Sequence, residues 1–250
     1  NTPVEVVWEN TPRQSPEPIN ELKLKHDFNF LAVSQISPRK NFDNMVKWFV
    51  EEFIDQEVGL VIKTNIANNS SMDWEYLTKK MSNLLADYKD RKCSVYLLHG
   101  DLSSGQMAGL YQNEKIKGLV NIAHGEGFGL PMFEAAREGL PITTIGWSGQ
   151  LDFLHHDGKD YYNKVNYTMR PVQPEAVWEG VIEKEAMWAT ADQGSYKMAL
   201  RKAFKNNDAL VNKAQELKDI IGEKFSDEKL FDLFCDKLIS QEESGDTIVL

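Results

Sequence analysis

The sequence predicts an α/β fold, a Rossmann-like doubly wound parallel sheet with a helical extension at its C-terminal end. Between residues 28 and 145, short apolar runs typical of buried strands alternate with amphipathic segments of helical period. Such alternation is typical of a parallel sheet with helices on both faces. From residue 174 onward the pattern is almost entirely helical, which predicts the extension.

Composition and charge exclude several classes of protein. The chain has 250 residues, of which 42% are hydrophobic and 26% are charged, as is ordinary for a globular protein with a substantial core. Its formal net charge of −10 argues against a nucleic-acid-binding protein, which needs a basic face. The apolar runs are too short to span a membrane, and Cys93 and Cys235 fit no metal-binding spacing. We therefore expect a cytoplasmic protein from a reducing compartment.

The elements of the sheet are predicted in order along the chain. Residues 1–27 combine a strand-like run at 4–8 with a polar segment containing three prolines, which indicates a linker or the remnant of a preceding domain. Core strands are predicted at residues 28–34, 58–64, 93–98, 119–123 and 142–145. Helices are predicted between them at residues 42–53, 73–88, 102–113 and 131–138.

The elements after residue 146 are predicted to form the helical extension. A loop with a short helix is expected at residues 147–154, and a last, more exposed strand at 161–169. Three helices are predicted at residues 174–191, 195–221 and 226–240, with Trp178 and Trp188 packed in the core by the first of them. The Rossmann-like domain would thus cover residues 28–240, followed by a flexible tail at 241–250.

The predicted site is the glycine-rich turn H-G-E-G-F-G-L-P at residues 124–131, which joins the strand at 119–123 to a helix. Three glycines in five residues let the backbone turn sharply and approach a ligand closely. Pro131 suits the first turn of a helix, and the N–H groups at that helix start favour an anion. Glu126 and Glu134 bracket the turn, so the expected ligand carries both phosphate and hydroxyl groups.

The longer run from Glu126 to Pro141 reads E-G-F-G-L-P-x-x-E-A-x-x-x-G-x-P, with seven residues between its two glutamates. It resembles the donor site of retaining GT-B glycosyltransferases, particularly glycosyltransferase family 4. The resemblance covers roughly residues 28–240 and implies the nucleotide-binding C-terminal half of a two-domain enzyme. The N-terminal, acceptor-binding half would be missing, and residues 1–27 would correspond to its end and to the interdomain linker.

Two other interpretations of the turn remain open. The first is an ordinary strand–turn–helix junction whose glutamates are solvated. The second is a Rossmann dinucleotide site, but the glycine spacing is G-x-G-x-G rather than G-x-G-x-x-G.

The resemblance implies that Arg39 and Lys40 neutralise the diphosphate of the donor. The family usually has an arginine about five residues before the lysine, and Gln35 occupies that position here. Arg39, adjacent to Lys40, would supply the missing charge through charge-assisted contacts. Two cations at a predicted helix start oppose the helix dipole, so an anionic ligand would explain their presence.

The resemblance also assigns roles to the two glutamates. Glu134 would accept hydrogen bonds from the ribose hydroxyls, and Glu126 would contact hydroxyls of the transferred sugar. Glu126, Lys40 and Arg39 are the predicted catalytic residues. Gln35 and Glu134 are predicted donor contacts. The backbone at His99 and Gly100 would contact the nucleobase. The remaining predicted contacts are mainly backbone groups of the glycine-rich turn, at Gly127, Phe128, Gly129 and Leu130.

The function implied is transfer of a sugar from a nucleotide sugar to a saccharide or lipid-linked saccharide, with retention. No D-x-D motif occurs in the sequence, so we expect the diphosphate to be bound without a metal and without a further cofactor. A non-catalytic nucleotide-sugar-binding module or subunit is the alternative. An epimerase on the same scaffold would need additional acid and base residues.

Overall fold

The structure is a computed structural model that describes residues 22–66 and 70–243, with side chains up to residue 238. The strand-like run predicted at residues 4–8, most of the predicted linker and the end of the tail lie outside the described residues. The division into a linker at 1–27, a domain at 28–240 and a tail at 241–250 stays a prediction.

The described part of the chain contains ten strands and eight α-helices. The strands are β1 (Asn29–Val33), β2 (Gly59–Lys63), β3 (Ser94–Leu98), β4 (Ile116–Asn121), β5 (Ile142–Ile145), β6 (His155–His156), β7 (Lys159–Asp160), β8 (Asn163–Val165), β9 (Tyr167–Pro171) and β10 (Met187–Ala191). The helices are α1 (Phe42–Glu52), α2 (Ser71–Leu84), α3 (Ser104–Tyr111), α4 (Leu130–Arg137), α5 (Leu151–Leu154), α6 (Gln193–Lys205), α7 (Asn207–Lys224) and α8 (Asp227–Glu243).

Six strands form a parallel sheet in the order β3-β2-β1-β4-β5-β8. The chain runs outward from β1 to β2 and β3, then returns to place β4 on the other side of β1. The strand order therefore reverses between β1 and β4. In open α/β sheets, ligands bind beyond the carboxyl ends of the strands at such a switch point.

The sheet is covered on both faces because successive side chains of a strand point to opposite sides. Phe30 of β1 lies in a core beneath α1 and α6, whereas its neighbour Leu31 lies in a second core beneath α3, α4 and α7. Both side chains are fully buried. The predicted fold class, a doubly wound parallel sheet with a helical C-terminal extension, is confirmed.

The predicted helix at residues 174–191 is wrong. This region holds a 3-10 turn at Pro174–Ala176, a loop and β10, which pairs antiparallel with β9. Gly180, in the middle of this region, opposes a helix because its φ of +78° lies outside the right-handed helical range. Trp178 is 67% exposed rather than packed in the core, and Trp188 lies on β10.

Two further predictions after residue 146 need correction. The strand expected at 161–169 is divided between β8, which joins the main sheet, and β9, which forms the hairpin with β10. The helix expected at 195–221 is two helices, α6 and α7, because the backbone leaves helical geometry at Asn206. None of the helices within the described ranges is long and apolar enough to cross a membrane.

Candidate functional site

The switch point brings together segments that are far apart in sequence. The backbone N–H of His124, after β4, donates to the carbonyl of Arg39, after β1, at 2.8 Å. On the neighbouring strands, Lys63 Nζ at the end of β2 donates to the Gly100 carbonyl after β3 at 2.6 Å. The segments that follow β1, β3 and β4, which hold the predicted donor contacts, therefore lie along one edge of the sheet.

A charged network centred on Glu126 lies at the switch point. Lys40 Nζ contacts both carboxylate oxygens of Glu126, at 2.5 and 2.7 Å, and Arg39 Nη1 contacts Oε2 at 3.1 Å. Asn121 Nδ2, at the end of β4, donates to Oε1 at 3.1 Å. The side chain of Glu126 is 7% exposed and that of Lys40 is 13% exposed, whereas that of Arg39 is 41% exposed. The cation nearer to solvent is thus Arg39.

This network keeps Glu126 ionised. Burial opposes ionisation, but the charge and hydrogen bonds of Lys40, with those of Asn121 and Arg39, outweigh it and lower the pKa of Glu126. Two cations against one carboxylate leave one net positive charge in the cluster. An ammonium has three donors, of which two point at Glu126, so a further acceptor can be bound.

The backbone of Glu126 is held by the loop after β5. Ser148 Oγ donates to the Glu126 carbonyl at 2.6 Å and accepts from its N–H at 3.0 Å. The N–H of Gly149 donates to the same carbonyl at 3.1 Å. A Cβ on Gly149 would lie 1.8 Å from the Gly127 carbonyl oxygen, so only glycine fits. Sequence reasoning assigned neither Ser148 nor Gly149 to the site.

The glycine-rich turn leads directly into α4. Gly129 is the N-cap residue with a φ of +89°, and a Cβ there would lie 2.8 Å from Met132. The ring of Phe128 packs on Phe133 and Phe153, with centroids 5.1 Å away in each case. The side chain of Phe128 therefore belongs to the core, and its backbone is the part that a ligand could contact.

The second glutamate of the motif has a partner that the sequence did not suggest. The hydroxyl of Tyr111, the last residue of α3, donates to Glu134 Oε2 at 2.8 Å. Burial raises the pKa of Glu134, and the hydrogen bond from Tyr111 and the charge of Arg137 partly offset that rise. Burial and the adjacent carboxylate raise the pKa of Tyr111 well above its usual range, so the phenol stays protonated.

The predicted nucleobase segment lies at the end of β3. The His99 ring lies 5.7 Å from that of Trp74, and His99 Nε2 is buried without a hydrogen-bond partner. Gly100 has a φ of +103°, and its carbonyl accepts the bond from Lys63. Burial lowers the pKa of Lys63, and the charge of Asp101 opposes this. Lys63 was missed, although its position at the end of an apolar strand was a usable signal.

The hairpin of β9 and β10 borders the site. His124 Nδ1 lies 2.9 Å from the Ala189 carbonyl oxygen, and its ring stacks on that of Trp188 at 5.0 Å. Burial lowers the pKa of His124, which the Ala189 carbonyl partly opposes. The turn at Pro174–Ala176 packs against the turn at Pro38–Lys40. A region predicted as helix thus supports both segments of the charged network.

Gln35 follows β1 on the same edge, with its side chain exposed to solvent. Among the residues that the structure describes, no group of three or more His, Cys, Asp or Glu side chains is placed to hold a metal ion.

No protein-family model and no curated protein sequence matches the chain. Among solved structures, HepE from Anabaena, in complex with UDP and glucose, is 15% identical with a TM-score of 0.56, covering 87% of this chain and 49% of HepE. Sucrose-phosphate synthase from Thermosynechococcus elongatus is 16% identical with a TM-score of 0.59, covering 97% of this chain and 49% of the synthase.

A third similar structure is the α,α-trehalose 6-phosphate synthase from Burkholderia multivorans. It is 11% identical with a TM-score of 0.62, and the match covers 87% of this chain and 43% of the synthase. The chain spans half or less of the length of these proteins. At such low identity the likeness shows the fold, and the chain has the Rossmann-like fold of one GT-B half.

Proposed function

We propose that the chain binds a nucleotide-sugar donor and supplies the donor-binding half of a retaining glycosyltransferase of the family 4 type. The observation that carries this proposal is the charged network of Glu126, Lys40 and Arg39 at the switch point. It lies beside the glycine-rich turn that starts α4, and the helix carries the second glutamate, Glu134. An ordinary solvated turn would not need a buried carboxylate with two cations.

The cations would bind the diphosphate of the donor. The net charge of the chain, −10, repels an anionic ligand, so binding must come from a local positive cluster. Lys40, Arg39 and the start of α4 would meet the negative charge that grows as the nucleoside diphosphate departs. This is stabilisation of a leaving group by preorganised charges, and we propose that it needs no metal ion.

The two glutamates would divide the rest of the donor. Glu126 aligns Lys40 and Arg39 and would contact hydroxyls of the transferred sugar, while Glu134 would accept hydrogen bonds from the ribose. Backbone groups would hold the remaining parts of the donor. The proposed contacts, besides Gln35, are those of His99, Gly100, Gly127, Phe128, Gly129 and Leu130.

Structures with a similar fold support the substrate class. HepE was solved with UDP and glucose, and a trehalose-6-phosphate structure from E. coli, 12% identical with a TM-score of 0.58, was solved with UDP-2-fluoro-glucose. The acceptor, a saccharide or lipid-linked saccharide, would be bound by a second domain. A non-catalytic nucleotide-sugar-binding module is the second candidate, since the chain spans only about half of the length of each of these proteins.

A thermal-unfolding screen tests the proposal. UDP, GDP and ADP, each with and without a hexose, are added to the protein in the presence of EDTA. At a concentration 100-fold above its dissociation constant, a bound nucleotide should stabilise the fold by about 2.7 kcal/mol. Absence of stabilisation by all of these nucleotides would refute donor binding, and stabilisation that requires added Mg²⁺ would refute only its metal-free character.

A further inference from the structure

A hydrogen bond between Tyr111 and Glu134 joins the two neighbouring helices α3 and α4. Tyr111 is 3% exposed and its ring belongs to the core beneath α3, α4 and α7. Its hydroxyl reaches Glu134 on α4 at 2.8 Å. A buried tyrosine hydroxyl usually has a hydrogen-bond partner, and here that partner is a residue with a proposed ligand-binding role.

The hydrogen bond fixes the carboxylate in one orientation. A glutamate side chain has several rotatable bonds, and ordering it on ligand binding costs free energy. A bond from a rigid, packed ring removes that cost in advance. It occupies one acceptor position of Oε2, and the other lone pairs of the carboxylate could accept from a ligand.

We propose that Tyr111 is a positioning residue for the donor, which holds Glu134 so that its carboxylate is oriented toward the ribose hydroxyls. The inference rests on the proposed function, specifically on the ribose contact of Glu134. It predicts that Tyr111 determines how well the site distinguishes a ribose from a sugar that lacks its hydroxyls. A site built to bind a hydroxyl group rejects the analogue without it, because its own polar groups are then left unpaired.

The charges around Glu134 give a second readout. Tyr111 on α3 and Arg137 on α4 itself are the groups that favour the ionised carboxylate, against burial, which disfavours it. Removing the Tyr111 hydroxyl should raise the pKa of Glu134 further. Nucleotide binding that needs the ionised carboxylate should weaken as the pH falls. In Tyr111→Phe this weakening should begin at a higher pH than in the wild-type protein.

The test compares Tyr111→Phe, which keeps the packed ring, with Glu134→Gln and with the double variant. Calorimetry measures the affinity for UDP, GDP and ADP, and for the 2′,3′-dideoxy form of the tightest binder. We expect Tyr111→Phe to weaken the ribonucleotide about tenfold, which equals about 1.4 kcal/mol, and the dideoxy form much less. Tyr88→Phe is the matched control, because it removes a Tyr–Glu hydrogen bond to Glu51 on α1, away from the donor edge.

The outcomes separate the inference from the proposed function. Equal loss of discrimination in Tyr111→Phe, Glu134→Gln and the double variant supports the inference, as does a shifted pH profile in Tyr111→Phe alone. If Glu134→Gln loses discrimination and Tyr111→Phe keeps the wild-type affinity, discrimination and pH profile, only the positioning role is overturned. If Glu134→Gln itself has no effect, the ribose contact fails and the inference fails with it.

Discussion

At the scale of single residues, Glu126 links the two segments that flank the switch point. Its carboxylate binds Lys40 and Arg39 from the turn after β1, and its backbone is fixed by Ser148 from the loop after β5. Each of these contacts joins residues that are more than 20 positions apart. The result is a cation cluster whose geometry is set before any ligand binds, which is what electrostatic stabilisation requires.

Glu126 should also contribute to stability in a pH-dependent way. Its folded-state pKa is lowered, so its contribution is present above the unfolded value near 4.5 and is lost as the pH falls through the folded value. We expect Glu126→Gln to reduce the free energy of unfolding at pH 7 by about 2 kcal/mol. The difference from wild type should shrink as the pH falls below 4.5, as measured by chemical denaturation.

The control for this prediction is Glu223→Gln. Glu223 also has a pKa lowered by a lysine, Lys229 at 2.8 Å, but the pair is exposed. Exposed pairs contribute little to stability, so no clear change is expected at either pH. A wild-type advantage over Glu126→Gln that persists at acid pH would show that the ionised form of Glu126 is not what stabilises the fold.

At the scale of elements, the strands were predictable and the hairpin was not. The strand predicted at 142–145 has the observed bounds, because its residues are apolar or β-branched and punctuated by Pro141 and Gly146. In residues 174–191, by contrast, apolar side chains recur at helical spacing although the chain forms a turn, a loop and a strand. Pairing with β9 overrides that periodicity.

The same distinction applies to the site. The glycine-rich turn and its glutamates could be identified because their signal is local in sequence. Tyr111 and Ser148 could not, because each acts through a tertiary contact to a residue more than 20 positions away. The sequence also predicted Gln35 and His99 as donor contacts, and these roles stay predictions.

The close approach of the loops after β4 and β5 gives a prediction for Gly149. Its substitution by alanine would force the Gly127 carbonyl away from a Cβ placed 1.8 Å from it. We expect Gly149→Ala to destabilise the fold by about 2 kcal/mol and to abolish nucleotide binding. Thermal unfolding and calorimetry measure the two effects.

Gly222→Ala is the matched control for this prediction. Gly222 lies in α7 with open space where a Cβ would be, so alanine should stabilise the helix by about 0.5–1 kcal/mol. Nucleotide affinity should stay at the wild-type value. If Gly149→Ala binds nucleotide as well as Gly222→Ala does, the two loops are not held together in the way that the donor site requires.

At the scale of the whole molecule, we expect this chain to bind donor and to transfer sugar very poorly. Transfer needs donor and acceptor to be held together, and much of the rate comes from that positioning. The structure describes one Rossmann-like domain, and the chain spans about half of the length of each of the similar proteins. Slow hydrolysis of the donor should be the main reaction in assays with a panel of saccharide acceptors.

The comparison that tests this expectation uses the same chain joined to an N-terminal acceptor domain, where its gene encodes one. Transfer should rise at least 100-fold in the longer protein, a modest share of what positioning can supply. Equal turnover by the two proteins would show that the acceptor site already lies within these 250 residues.

The most direct test of the proposed donor site is calorimetry of UDP-, GDP- and ADP-hexoses with Lys40→Met in the presence of EDTA. Lys40 makes the shortest contacts with Glu126, and loss of its charge should weaken the bound donor by about 1.5–3 kcal/mol, or roughly 10- to 150-fold. Lys197→Met, which removes a lysine paired with Glu51 at 2.5 Å near the C-terminal end of α1, away from the donor edge, should bind as wild type does. Equal affinities for the two variants would contradict a diphosphate site at Lys40.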